Sequence, residues 1–199
     1  ILQPKVLELN TLLSVSEKML KRFVEKNIKI SLVLEPKVGH VKVDPSEFDQ
    51  VLLSLVMNAR DAMPAGGEIT ISTARAPGGF VSIRVSDNGE GIHPDVRGQV
   101  FEPFFTTRTG RRTGLGLSTV YGIVQQSGGT IELESQSGVG TSFRIDLPLV
   151  EVAVADTSHT GEEDTTSASQ SERTVLVVED QDPVDARLGQ VLVESGFEL

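Results

Sequence analysis

The chain has 199 residues, 38% of them hydrophobic, enough for one ordinary domain with a sizeable core and something smaller beside it. Cysteine is absent, which excludes a disulfide framework and a thiolate metal site and suits a reducing compartment. The formal net charge of −10 argues against nucleic-acid binding, and it is unevenly placed: residues 1–150 carry 16 acids and 16 Lys+Arg, residues 151–199 carry 12 acids and 2 Arg.

The start, ILQPKVLELN, has neither the charged nor the apolar region of a signal peptide. No apolar run approaches the roughly 20 residues that span a membrane. A chain that opens without Met and stops at ESGFEL reads as a piece of something longer. In residues 11–26, Leu12, Val15, Met19, Leu20 and Phe23 recur at helical spacing. IKISLVL then alternates at Ile28, Ile30, Leu32 and Leu34, the pattern of a half-buried strand. A helix is predicted from Pro45 to Met63, with proline where a helix can begin. EITIST and VSIRVS predict a hairpin around the turn-rich ARAPGG. A middle rich in Gly and Phe leads into GLGLSTVYGIVQQSGG, a helix that ends on glycines. TIELESQSGVGTSFRIDLPL reads as two strands about a turn. Residues 151–172 are rich in Ser, Thr and acids and read as a linker. RTVLVVED opens a new strand. Helices interleaved with consecutive strands predict an α+β fold, a two-layer sandwich with helices on one face of a mixed sheet.

Four stretches carry possible chemistry. In RVSDNGEGI, Val81, Ile83 and Val85 share one strand face, and Asp87 continues their parity. A lone inward carboxylate is costly unless it is hydrogen-bonded. A ligand amino group could satisfy it, and so could a backbone turn, since Asp-Asn-Gly is also plain turn sequence. Gly89 and Gly91 permit positive φ or close approach of a ligand to the backbone. On the helix from Pro45, Glu47, Gln50, Ser54, Asn58 and Asp61 form one narrow polar stripe, with Asn58 bordering the apolar face. The stripe is either solvated or offers an amide oxygen to a cation such as Mg²⁺, which takes few protein ligands beside phosphate and water. TGLGLS, Thr113 to Ser118, places Gly114 and Gly116 at a helix start, where backbone N–H groups suit phosphate; a glycine hinge in a solvated loop is the alternative. Arg108, Arg111 and Arg112 stand just upstream. FEPFFTT, Phe101 to Thr107, offers core packing, expected for Phe101 and Phe104, or anchors for a mobile lid.

The order and spacing of these stretches resemble the catalytic ATP-binding domain of sensor histidine kinases, within the superfamily shared with gyrase, Hsp90 and MutL. LVMNARDAM resembles its N box, DNGEGI, TGLGLS and GVGTSF its glycine boxes, and FEPFF its F box. The resemblance implies a Bergerat-type ATP-binding fold and the cofactors ATP and Mg²⁺. It implies that Asp87 accepts from the adenine amino group and that Gly89, Gly91 and Ile92 shape the adenine pocket. Thr141 would support Asp87 through water. Asn58 would hold the Mg²⁺ that bridges the phosphates, with Asp61 nearby. Thr113, Gly114, Leu115, Gly116 and Leu117 would cap the triphosphate. Residues 106–113 would form an ATP lid, with Phe104, Arg108 and Arg111 as its nucleotide contacts. The tail resembles the start of a response-regulator receiver domain, in which Glu179 and Asp180 would be the Mg²⁺-binding acidic pair of an incomplete site.

The implied layout is a connector over 1–10, the catalytic domain over 11–150, a linker over 151–172 and a truncated receiver over 173–199. The whole would be a hybrid sensor histidine kinase, cytoplasmic or membrane-anchored, and homodimeric through absent helices. This piece would be monomeric, with no membrane contact of its own. Its partners would be a histidine-bearing dimerisation domain and a receiver or response regulator. Two departures stand out. Ser54 occupies the N-box position where ATP-hydrolysing relatives place a Glu base, and Arg112 falls where the family often has Gly. None of His40, His93 and His159 lies in a helix of the phosphoacceptor type, so no catalytic residue is assigned. An ATP-driven clamp and a non-catalytic nucleotide-binding scaffold remain the rival readings.

Overall fold

The structure, a computed structural model, describes residues 3–107 and 113–151. Arg108, Arg111 and Arg112, the linker, His159, and the tail with Glu179 and Asp180 lie outside the described residues.

The described chain forms a strand β1 (Lys5–Glu8), helix α1 (Leu9–Leu20), strands β2 (Ile28–Leu34) and β3 (His40–Val43), and helix α2 (Pro45–Asp61). Strands β4 (Gly67–Ala76) and β5 (Phe80–Asp87) follow, then a 3₁₀ turn over Pro94–Gln99. Helix α3 (Gly116–Gln126) and strands β6 (Thr130–Gln136) and β7 (Gly140–Val150) complete it. The sheet runs β1-β3-β7-β5-β4-β2, with β6 also on β7. Only β2 and β4 are parallel; every other pair is antiparallel. The mixed, mainly antiparallel sheet expected from the sequence is therefore present.

Alternation decides which sheet face is dry. Ile69 and Ile71 on β4, Val81, Ile83 and Val85 on β5, and Phe143, Ile145 and Leu147 on β7 are all buried. They join Phe48, Val51, Leu52, Leu55, Val56 and Ala59 of α2 in one core. Each larger apolar side chain among them contributes about 1.5–3 kcal/mol by leaving water. The opposite sheet face carries ion pairs such as Arg84–Glu134 and Arg144–Asp146 and stays wet.

Three local expectations are corrected. Lys5–Glu8 is not connector but strand, paired antiparallel with β3, and Leu9 begins α1 fully buried. A four-residue strand has too little alternation to read, and its partner lies some 35 residues away. The helix expected over 11–26 stops at Leu20, where Arg22 N–H to Met19 O and Phe23 N–H to Leu20 O tighten the last turn. The stretch around His40, for which no strand is predicted above, is strand β3, and His40 pairs with Val150.

The helix starts differ in a way that matters below. Glu8 caps α1 by accepting from the N–H groups of Asn10 and Thr11, and Asp44 caps α2 by accepting from those of Ser46 and Glu47. The N-cap of α3 is Leu115, which makes no side-chain cap bond.

Candidate nucleotide-binding site

A cleft of about 920 Å³ opens between α2, the end of β5 and the segment after it, β7 and the start of α3. That size suits a nucleotide-scale ligand. Asn58, Asp61, Asp87, Gly91, Ile92, Thr113, Gly114, Gly116, Leu117 and Thr141 all line it, so residues far apart in sequence meet on one concave surface.

Asp87 ends β5 on the same face as Val81, Ile83 and Val85, opposite Ile69 on one side and Thr141 on the other. Its Oδ1 accepts from the Gly89 N–H at 2.9 Å and the Thr141 N–H at 3.3 Å. Among the described residues no hydrogen bond falls on Oδ2. Burial pushes this carboxyl above its ordinary range; the two N–H bonds pull the other way, and neighbouring Glu90 adds to the rise. The result is a half-buried carboxylate with spare acceptor capacity beside an open cleft.

The surroundings of Asp87 are braced by backbone. Glu90 N–H donates to Ala62 O, tying the loop after β5 to the end of α2, and Gly138 N–H donates to Glu90 O. Gly91 has φ 69°, and a Cβ there would overlap the Gln136 carbonyl, so only glycine lets the loop lie against the β6–β7 hairpin. Thr141 is buried, and its backbone N–H bonds Asp87 directly.

On α2, Ser54, Asn58 and Asp61 face the cleft, the C-terminal three residues of the stripe read from the sequence. Asp61 is held by the neighbouring Arg60, whose Nε and guanidinium nitrogen reach its Oδ1 at 2.9 Å. No group of three or more His, Cys, Asp or Glu that could hold a metal occurs among the described residues. A cation beside Asn58 would therefore draw most of its ligands from phosphate and water, the habit of Mg²⁺.

At the other end, Phe104 N–H donates to Gly114 O at 3.0 Å and closes the base of the segment between them. Gly114 has φ 66°, and a Cβ on it would strike the Phe104 backbone. The uncapped start of α3 follows at once. Ser118 and Thr119 turn their hydroxyls back to Leu115 O, so neither caps the helix. The first N–H groups of α3 thus remain for an anion.

Not every expectation fits. Phe101 packs against Tyr121 and Phe143, with ring centroids 5.7 and 6.3 Å away. Phe104, expected to pack in the core, is 73% exposed with φ 67°, and Phe105 lines the cleft in its place. The tight closure onto Gly114 turns the Phe104 side chain outward. Leu115 stands at the helix start but does not line the cleft, and Gly89 acts through its N–H and its packing on Ala62. Sequence reasoning missed Arg60, His93, the Ala62 carbonyl and Ser135. No local pattern marks the Ala62 carbonyl or Ser135, because both act across elements.

Comparison with known proteins accounts for this assembly. The family model described as "Histidine kinase-, DNA gyrase B-, and HSP90-like ATPase" matches residues 43–151. The chain belongs to that family. Within this ATPase family it is 42% identical to the sensor kinase CckA of Brucella abortus, over 96% of this chain and 22% of that protein. It is 37% identical to the sensor histidine kinase ZraS of Escherichia coli K12, over 73% of this chain and 31% of that protein. The solved catalytic domain of histidine kinase ThkA, in a nucleotide-free form, superposes with a TM-score of 0.63 at 29% identity, covering 73% of this chain and 95% of that one. The mycobacterial sensor histidine kinase MprB gives 0.64 at 26% identity, over 73% and 97%. The ATPase-family fold here is that of a catalytic ATP-binding domain of the sensor histidine kinase type. The chain spans about a fifth to a third of the length of these curated relatives.

Proposed function

We propose that this chain is the ATP-binding catalytic part of a hybrid sensor histidine kinase, and that its cleft delivers the γ-phosphoryl of MgATP to a histidine on a separate helical dimerisation domain. The observation that carries this is Asp87: an inward-facing, partly desolvated carboxylate with an unused oxygen, at the end of a strand that lines a nucleotide-sized cleft. Its spare oxygen suits the adenine amino group. Asn58 lies across the cleft on α2, where its amide oxygen suits Mg²⁺ bound to the phosphates. The start of α3, with Thr113, Gly114 and Gly116, suits the phosphate chain itself. Phosphoryl transfer asks mainly for positioning and charge neutralisation, which these groups supply.

Ser54 lines the cleft where ATP-hydrolysing relatives carry a carboxylate base, and a hydroxyl is a poor substitute for activating water. That favours transfer over an ATP-driven clamp. The hybrid reading rests on the tail: TVLVVED followed by a helix-forming stretch resembles the start of a receiver, with Glu179 and Asp180 as its acidic pair. The alignment with the Brucella sensor kinase supports it, because 96% coverage carries the likeness well past residue 151. No helix among the described residues is long and apolar enough to cross a membrane. A cytoplasmic setting for this domain fits its ATP-dependent role. Arg108 and Arg111, by their place beside the second glycine box, complete the proposed phosphate contacts.

The test is to incubate the chain with labelled MgATP and a separately prepared histidine-bearing domain. Label on that domain is the expected result. Phosphate release without label on the acceptor, or tight ATP binding with neither, would overturn the kinase reading.

A further inference from the structure

Ser135, on β6, lies outside every motif, yet its hydroxyl meets three groups on two other segments. The Ile92 N–H donates to it at 2.8 Å, the Gly140 carbonyl lies 3.0 Å away and the Thr141 hydroxyl 3.1 Å away. Ile92 and Thr141 both line the cleft, and Thr141 N–H is one of two donors on Asp87 Oδ1. One hydroxyl thus joins the loop after β5, the β6 strand and the β7 strand at the point where Asp87 is oriented.

Donor counting makes the arrangement specific. Ser135 has one proton and two lone pairs. Ile92 N–H takes one lone pair. The Gly140 carbonyl can only accept, so either Ser135 donates to it and receives the Thr141 proton, or Ser135 donates to Thr141 and frees the Thr141 proton for the cleft. In both arrangements the Ile92 bond is kept. The wall of the cleft therefore stays fixed while the Thr141 hydroxyl can present either a lone pair or a proton to what lies beside Asp87. Alanine at 135 would remove the Ile92 acceptor and the Thr141 partner together.

We infer that Ser135 is a positioning residue for adenine recognition: its hydroxyl clamps Ile92 to Thr141 and so fixes the edge of the cleft against which Asp87 reads the base. The inference rests on the adenine reading above. It predicts an effect confined to the base, since Ser135 touches nothing at the α3 end of the cleft.

The experiment measures binding of MgATP and of magnesium tripolyphosphate, which has no base, to the full chain by titration calorimetry. The variants are Ser135→Ala, Ser135→Thr and Asp87→Asn, with folding checked by circular dichroism and thermal melting. Ser135→Ala is expected to weaken ATP by about five- to tenfold, the loss of one or two buried hydrogen bonds. Tripolyphosphate affinity is expected to stay unchanged, and Ser135→Thr, which keeps the hydroxyl, to restore ATP affinity. Unchanged ATP affinity in Ser135→Ala, an equal loss for both ligands, or no rescue by threonine would overturn the proposal. Asp87→Asn separates the two levels. If it leaves ATP affinity intact, the adenine reading falls and this proposal with it; if it weakens ATP while Ser135→Ala does not, only this proposal falls.

Discussion

The two ends of the cleft are built by different means. At the Asp87 end, the floor is sheet: Asp87 is paired with Ile69 and Thr141, and the loop after it is pinned to Ala62, to Gly138 and to Ser135. At the α3 end, one backbone bond from Phe104 to Gly114 closes the base of a loop, and the helix that follows has no side-chain cap. The first end is over-determined and suits recognition of a flat base with fixed donors. Among the described residues, the second end offers helix-start N–H groups with no side-chain cap, which suits a phosphate group. In the proposed reading, the strands read the base and the start of α3 handles the charge.

The sharpest way to separate the ends is Asn58→Ala. It removes the side-chain amide proposed to meet Mg²⁺ while leaving the Asp87 end intact. Mg²⁺-dependent phosphoryl transfer is expected to fall by roughly 100-fold or more, with ATP affinity reduced far less. A labelled-transfer assay run beside equilibrium binding checks the split, and an equal loss in both would merge the two ends.

Asp87→Asn is the complementary break. The amide can still accept from Gly89 and Thr141, but it offers NH₂ toward the amino group of adenine. ATP is expected to bind about 10- to 100-fold more weakly, the range for a charge-assisted hydrogen bond replaced by a mismatch. The same variant tests the cost of burying the carboxylate. The Asp87 carboxyl is raised in the folded chain, so the folded state holds the proton in the window between the ordinary carboxylate value and the raised one. Across that window the stability of the free domain falls as pH rises. Asp44 and Asp146 are lowered and act with the opposite sign. The readout is therefore the difference between wild type and Asp87→Asn: the variant is expected to gain relative stability as pH rises through the window. A difference that does not change with pH would remove the burial argument.

Gly91→Ala probes the brace alone. The left-handed φ and the collision with Gln136 O are expected to cost about 1–3 kcal/mol, seen as a lowered melting temperature with weaker ATP binding. The smallest effect belongs to the wet sheet face. Arg84→Met removes an exposed pair with Glu134 and is expected to cost under about 1 kcal/mol and to leave ATP affinity unchanged.

Much of the fold was legible because alternation and helical spacing are local. Asp87 was placed correctly by strand parity, and the α2 stripe by its repeat. The short strands β1 and β3 were not, since four residues carry little period and their pairing is long-range. Phe104 was misplaced because its exposure follows from closure onto Gly114, which composition does not encode. Ser135 and the Ala62 carbonyl were invisible for the same reason: their roles exist only once β6, α2 and the loop after β5 meet. Positive φ, one of the two readings of Gly91, is present, and at both Gly91 and Gly114 the missing side chain makes room for neighbouring backbone.

The central claim is that Asp87 reads an adenine amino group in this cleft. It is tested most directly by titrating the wild-type chain with MgATP and with the magnesium complex of purine riboside triphosphate, which differs only in lacking that amino group. Tighter binding of ATP, by about tenfold or more, lost in Asp87→Asn, is the predicted result. Equal affinity of the wild-type chain for the two nucleotides would contradict it.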